Sequence, residues 1–589
     1  MDDLTKKSGR VADRLAKRTK SVVNKTSLHV KNVLVGRLDN VHRVRGRVVG
    51  WVILMISLIF LAGLQFLWYR ESYETSEYAK GGAYAEATLG KINTLNPLYA
   101  VTNSEQVVAK LLFSSLYSYD RSGGLKGDLA RLITANDDGT EYVVTMRETA
   151  KWHDGENVTA DDVIFTLGII KSPGSRSTLL TSWRDVEVEK LNDYEVKFTL
   201  PSSYAAFADA LTFPVLPRHL LATVTPEQLY ENDFGNNPVG SGPYEFKALR
   251  PVGKNGERVV HLAPNSRYYL GAPKIERFLV HAYIEKEDII AAMKTSSVSA
   301  TAELDLSDGE TMDTSKLNIR EAGINSGVFV FLNTKSAPLK DVRVRQALQK
   351  GIDMGAVRSG AGGVRPLDLP MLNSQIGFEM PVNTVVHDID KAKSLIKAAG
   401  YKLNQGRLVG KDDEQVRLRL ATIDEYAEVA ETLEQQLIGL GYAVDTTIYS
   451  AGESGQDFLQ EIVRPRNYDL LIYEVEMGAD PDMFAYYHST QIGAAGLNLS
   501  NYSSLVADDI LLSARATMDE EMRDLKYEAF LKLWLNDVPA IGVYQSMMTY
   551  YYGQGVRIFS ENNRLVAPVD RFADVTQWAA NRQTFNRTP

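Results

Sequence analysis

The sequence has no cysteine in 589 residues. Disulfides, thiolate metal sites, iron–sulfur clusters, a thiol nucleophile and a lipid-modified cysteine anchor are all excluded. Histidine is scarce too: there are eight, none in an HExxH-type ligand pair, so a metal site has little support. There is no P-loop and no GxGxxG. Gly360–Gly363 lacks the Lys-Ser/Thr of a phosphate loop and reads as a turn, and Gly452-Glu-Ser-Gly455 has the wrong spacing for a nucleophile elbow. Asn136-Asp-Asp-Gly139 lacks the twelve-residue calcium pattern and reads as a turn. His153-Asp154 are neighbours in sequence, which does not make them face each other. No nucleophile–base–orienter set emerges, so we expect no catalytic residue, no metal and no cofactor.

The third absence is local. Residues 48–68 (VVGWVILMISLIFLAGLQFLW) carry no charge at all. About 20 apolar residues span a bilayer as a helix. Trp51, Trp68 and Tyr69 stand near the ends of the run, where amphipathic rings favour the membrane interface. A signal peptide has an apolar core of about 7–15 residues behind a short basic region. This run is longer, and the arm before it is 47 residues, so a retained transmembrane helix is the reading. The arm holds 13 Lys/Arg against 4 Asp/Glu, a net of +9. The whole chain is −9, so the part beyond the arm and the run carries −18. The positive-inside rule puts the arm in the cytoplasm and the acidic bulk outside. The arm suits anionic lipid; nucleic acid is not an expected partner.

Length corresponds to roughly four units of about 150 residues. Residues 69–80 read as a polar stalk, and mixed strands and helices follow. Tyr194–Leu200 alternates as a half-buried strand, and Thr159–Asp162 opens a helix with a capping-box variant. Val328–Leu332 is a continuous apolar run, the mark of a strand buried on both faces. Strand 416–420, helix 426–440 stopped by Gly441, and strand 444–448 make a βαβ crossover with parallel strands. A further strand, 468–476, enters the loop Met477-Gly478-Ala479-Asp480-Pro481-Asp482. Ligands of open α/β sheets bind beyond the carboxyl ends of the strands, so Glu476–Asp482 is a candidate binding loop. Trp534, within FLKLWL, and Trp152 read as packing residues.

Several ordered segments are similar to the oligopeptide/dipeptide-binding proteins of ABC importers, extracellular solute-binding family 5. They include Leu95-Asn-Pro-Leu98, Lys151–Val163 (KWHDGENVTADDV), Pro238–Tyr244 (PVGSGPY), Pro264–Tyr269, Asp341–Leu348, Ala399-Gly-Tyr401, Asp480-Pro-Asp482 and Asp537-Val-Pro539. The series covers nearly all of 84–560. The resemblance implies an α/β, bilobed, hinged periplasmic-binding-protein fold of type II with an extra third domain, preceded here by one transmembrane helix. Lobe I would be 81–118, 228–325 and 540–589, the extra domain 119–227, and lobe II 326–539. The hinge would lie at 328–333 and 539–544. It implies a monomer that captures a peptide between the lobes and delivers it to ABC permease subunits. Residues Tyr99, Ala100, Val101, Thr102 and Asn103 match the strip that pairs with ligand backbone, and Tyr544 matches an aromatic facing the cleft. The family's carboxylate for the ligand α-amino group stands three residues before the acidic residue–Pro dipeptide, which here is Met477. Glu474 and Glu476 flank that place and become the candidate carboxylates, with Gly478 and Asp480 in the loop. Asp480 and Asp482 read rather as loop-capping residues. A binder of a non-peptide solute and a sensor reusing the same fold remain as alternatives.

Overall fold

The structure is a computed structural model that describes residues 38–253, 256–359, 365–379, 385–410, 412–450, 457–558 and 564–586. Most of the basic arm (1–37) and the glycine turns 360–363 and 452–455 lie outside these residues, as does the side chain of Tyr69. The chain forms two units, 1–77 with 583–589, and 78–582.

Among the described residues the first unit holds one helix, Leu38–Tyr73. Its segment Arg45–Trp68 is 24 residues long, is apolar enough to cross a membrane, and has none of its residues buried. At 1.5 Å per residue it is about 36 Å long, enough for a hydrocarbon layer of about 30 Å. Phe60 and Phe66 are more than 60% exposed. Of the expected stalk, the backbone is helical to Tyr73 and extended over Glu74–Ala79.

The second unit is organised on a large mixed sheet. Its strands run in the order 443–449, 417–423, 470–476, 317–332, 540–553, 300–301, 83–89, 277–283, 258–264 and 244–251. The βαβ crossover is present: Arg417–Ile423 pairs in parallel with Ala443–Tyr449, and helix Ala427–Gly439 connects them. Gly441, at φ 99°, takes the left-handed conformation that stops that helix. A separate four-stranded sheet is built from 130–135, 141–146, 195–199 and 187–192.

Two long strands, Leu317–Leu332 and Ala540–Gly553, pair antiparallel along most of their length. Val328, Val330 and Leu332 pack in one apolar core with Leu418, Leu433 and Ile541. Phe329 and Phe331 pack in another with Trp534 and Met477. Alternate residues thus face opposite cores, which is why the run carries no polar alternation. Toward the other ends of the same strands, Ala322, Met548 and Tyr550 join a third core with Tyr84 and Trp578. The handover between cores falls at Gly323–Gly327, where the strand register shifts, and at Gln545–Met547. That is before 328–333 on the first strand and after 539–544 on the second.

Candidate functional site

The two strongest sequence motifs turn out to hold each other. Trp152 is buried, and its Nε1 donates to Asp162 Oδ2 at 3.3 Å. Asp162 also accepts from Thr159 N (2.9 Å) and Arg218 N (2.8 Å), so it fixes the start of helix Ala160–Ile170. His153 N donates to Gly240 O at 2.8 Å, and Gly240 N donates to His153 Nδ1 at 3.1 Å. Nε2 stands 3.1 Å from Gly242 O. Burial pushes His153 below its ordinary pKa, and a neutral ring with Nε2 protonated satisfies both bonds. A Cβ at Gly240 would lie 1.9 Å from Leu112 O, so only glycine fits against the end of helix Asn103–Leu112. These motifs lock the strand framework together; His153 is not paired with Asp154, which bonds His219 at 2.7 Å. Asn136 caps a turn through Thr140 N and Glu141 N, each at 2.9 Å.

The polar cluster that sequence reasoning placed on strand Leu470–Glu476 lies where the two long, paired strands cross from one set of cores to the other. The strand is buried at Leu470–Ile472 and half-exposed or exposed at Tyr473–Glu476. Strand Ala540–Gly553 is likewise half-exposed only at Tyr544–Met547 and at its last residue. Glu474 Oε1 accepts from the hydroxyls of Ser326 and Ser546, and Oε2 accepts from Tyr426 at 3.1 Å. Three elements and the helix entrance of the βαβ unit therefore converge on one carboxylate. Desolvation, and then the charge of Glu474, push Glu425, Glu476, Tyr426 and Tyr544 above their ordinary pKa values. Glu476 feels this although its side chain still reaches solvent. Negative charge gathered in a partly dry site is relieved by a cation. Among the described residues no three His, Asp or Glu side chains stand close enough together to hold a metal ion.

The loop after this strand is held by its backbone. Met477 N donates to Asn325 O at 2.8 Å, Asn325 Nδ2 donates to Gly478 O at 2.7 Å, and Gln375 Nε2 donates to Met477 O at 3.1 Å. Met477 is 4% exposed and packs in the apolar core, so no carboxylate occupies that position. Asp480 pairs with Arg523 at 3.2 Å. Burial, opposed by Arg523, pushes Asp480 up to about 6. Asp482 accepts from Phe484 N at 3.1 Å and pairs with Arg515 at 2.9 Å. Both behave as loop-fixing residues. Arg515 also lies over the rings of Tyr204 (4.6 Å) and Phe484 (4.5 Å). Ala205 N donates to Arg515 O at 2.9 Å. Segment 203–205 is thereby tied to helix Leu505–Ala516, a clasp that sequence reasoning missed.

The strip 99–103 straddles a turn and a helix start. Pro97–Tyr99 is a short 3-10 turn, and Thr102 caps helix Asn103–Leu112. Buried Glu105 accepts from Val101 N (3.0 Å) and Thr102 N (3.1 Å), and Tyr99 N donates to Asn96 O at 3.1 Å. Val101 N and Thr102 N are thereby already engaged within the chain. The Thr102-x-x-Glu105 spacing is itself a capping-box signal, so this was readable. Val101 is 72% exposed. Tyr99 Oη is buried without a hydrogen-bond partner among the described residues. Asn103 Nδ2 donates to Glu303 Oε2 at 2.8 Å.

Beneath that strip sits a charged core with no local sequence signature. Glu86 and Arg571 are 0% and 3% exposed and are joined at 2.9 and 3.1 Å. Tyr550 donates to Glu86 at 2.6 Å, and Tyr84 donates as well. Burial works against the charge on Arg571, and Glu86, Tyr550 and Glu303 outweigh it.

A family model described as bacterial extracellular solute-binding proteins, family 5 Middle, matches residues 124–496. The oligopeptide-binding protein AppA of Bacillus subtilis is 27% identical over 511 residues, covering 84% of this chain and 92% of that protein. Its structure in complex with a nonapeptide is similar at TM-score 0.69 and 25% identity, covering 85% of this chain and 99% of that one. The glutathione-binding protein GsiB of Pectobacterium atrosepticum is 25% identical over 457 residues, covering 76% of this chain and 85% of that protein. NikZ from Campylobacter jejuni in complex with Ni(L-His) is similar at TM-score 0.69 and 26% identity, covering 84% of this chain and 99% of that one.

Proposed function

Because this chain belongs to the bacterial extracellular solute-binding proteins of family 5, we propose that it is the membrane-anchored capture subunit of an ABC importer, taking a peptide between two lobes and passing it to the permease. Its role is binding for transport, not catalysis. Helix 45–68 supports anchoring by the chain itself, in place of the lipidated cysteine that the sequence lacks. Lobe I (81–118, 228–325 and 540–589), the extra domain 119–227 and lobe II (326–539) close about the crossing at Gly323–Gly327 and Gln545–Met547, as hinge closure describes. The observation that carries the ligand reading is the Glu474 cluster at that crossing. In it, Glu474 or Glu476 takes over the α-amino group that Met477 cannot hold, and the 99–101 carbonyls and Tyr544 take the rest of an extended chain.

One observation favours a second reading. A buried methionine at the expected carboxylate position also fits a solute with no free N-terminus. Mass spectrometry of ligand co-purified with the full chain separates the two. Titration of free and N-acetylated peptides into wild type, Glu474→Gln and Glu476→Gln then tests the amino-group role. A free peptide should bind at least about tenfold more weakly to one variant, with the acetylated peptide unaffected. Equal affinities throughout, or a non-peptide ligand in the spectrum, sink the peptide assignment.

A further inference from the structure

The apolar cores say which body the extra domain travels with. Trp183, Phe198, Phe207 and Leu211 share one core with Tyr84, Tyr244 and Phe278 of the large sheet. The two cores built around Val328–Leu332, Leu433 and Trp534 contain no described residue of 119–227. The extra domain is therefore continuous with lobe I, and lobe II packs separately. The paired strands Leu317–Leu332 and Ala540–Gly553 join the two bodies by passing from one set of cores to the other.

A further contact bridges them away from those strands. Ala205 N donates to Arg515 O, and Ser203 Oγ donates to Ala516 O, both at 2.9 Å. The Arg515 guanidinium is set between two rings, Tyr204 of the extra domain at 4.6 Å and Phe484 of lobe II at 4.5 Å. Asp482 pairs with it at 2.9 Å. Tyr142 Oη donates to Tyr204 O at 2.7 Å and stands 3.7 Å from Met518 Sδ. A Cβ at Gly139 would lie 2.6 Å from that sulfur, so the turn at Asn136–Gly139 can close on lobe II because it ends in glycine.

The chemistry of this contact differs from that of the cores. It consists of two hydrogen bonds to backbone carbonyls, one stacked guanidinium and one ion pair. The Arg515 side chain stays 32% exposed, and Met518 is 40% exposed. Polar contacts of this modest kind between domains of one chain form and break, whereas a shared apolar core does not. Two strands alone let one body rotate on the other about their crossing. A third attachment, off those strands, fixes the angle. Arg515 is held by Asp482, the last residue of the candidate binding loop 476–482, so the attachment is continuous with the loop beside the cleft.

We propose that the Tyr204–Arg515 clasp is a latch: it holds lobe II against the extra domain, and the lobes open when it releases. The proposal rests on the two-lobe importer reading and adds to it a residue pair that sets how often the cleft opens.

The chain has no cysteine of its own. Glu189→Cys on the extra domain and Lys397→Cys on lobe II, both at exposed positions, therefore give a clean pair of dye sites for single-molecule energy transfer. The full chain is measured in nanodiscs with no ligand added. On this background are placed Arg515→Ala, Tyr204→Ala, both together, and Tyr204→Phe. The unlatched background should hold one main distance. Each alanine variant should populate a second distance and raise the open-to-closed ratio at least about fivefold. The double variant should add little to either single one, because both remove the same contact. Tyr204→Phe keeps the ring and should stay within about twofold of the background. Independent, additive effects of the two alanine substitutions overturn the latch. Two distances in the same ratio in every protein overturn it too and leave the two-lobe reading standing. One fixed distance in every protein overturns both.

Discussion

Replacing Arg571 by methionine should cost about 4–6 kcal/mol at pH 7, and the cost should depend on pH. Arg571 makes two bonds to Glu86, at 2.9 and 3.1 Å, and donates to Pro568 O at 2.8 Å. Its guanidinium also lies 4.4 Å from the centre of the Phe572 ring. Methionine keeps much of the volume and loses the charge. Removing one member of a buried pair strands the other, at about 3–5 kcal/mol. A stranded carboxylate has an escape, because it can take a proton. For an ordinary glutamic acid, protonation at pH 7 costs about 1.4 kcal/mol for each of roughly 2.7 units, close to 4 kcal/mol, and at pH 5 only about 1 kcal/mol. The lost carbonyl bond and ring contact add about 1–2 kcal/mol at either pH. The penalty should therefore fall to about 2–3 kcal/mol at pH 5. The sign follows because the variant folds with a proton that the unfolded chain releases, so lower pH favours folding. Urea unfolding of wild type and variant at both pH values reads this directly. The double variant Glu86→Gln/Arg571→Met, with no charge left to strand, should recover more than half of the loss at pH 7. A penalty below about 1 kcal/mol, or one identical at pH 5 and 7, refutes the claim that the pair is desolvated.

Three further outcomes are expected. Gly240→Ala puts a methyl 1.9 Å from Leu112 O; backbone cannot yield as a side-chain tip can, so unfolding free energy should drop by about 3 kcal/mol or more, against no loss for Gly439→Ala, a helical position with nothing within 4 Å. Asp480 is pushed from 3.8 up to about 6 by burial, with Arg523 opposing and Asp482 and Asp209 assisting. The folded protein then holds a proton that the unfolded chain gives up, so stability should fall by about 2 kcal/mol as pH rises from 4 to 6, and Asp480→Asn should flatten that slope in urea titrations at several pH values. Arg515→Ala removes the ion pair to Asp482 and both ring contacts; hydrogen exchange at 203–207 should speed at least about fivefold, while exchange in the 417–423 strand stays the same.

Legibility in the sequence tracked the range of the interactions. Val328–Leu332 could be read because burial on both faces acts on every residue of the run, and the structure does split it between two cores. The βαβ unit could be read because its strands and helix are contiguous. Trp534 and Trp152 read as packing residues, and both are fully enclosed. The first half of the long strand, LNIREAGI, could not be read. Its residues are exposed or half-buried as far as Glu321 and buried at Ala322 and Gly323, so its burial follows no clean period. Glu86 and Arg571, 485 residues apart, left no local trace at all. The handover between cores left no local trace for a similar reason. Hydrophobicity continues through it, and only the change of neighbours marks it.

The position of Glu474 bears on how binding drives closure. A ligand shifts an open–closed equilibrium only by the difference between its contacts in the two states. Groups far from the crossing move most and gain most contact on closing, and groups at the crossing hardly move. Glu474 is at the crossing, clamped by hydroxyls from both long strands. Its pairing with a ligand cation would be formed almost equally in both states, so it would set affinity without setting closure. On that reading Val101, which is 72% exposed, and Asn103 would be the groups whose contacts change. Affinity and closure are then carried by different residues of one cleft, which is what a transport protein needs to hold its ligand firmly and still release it to a permease.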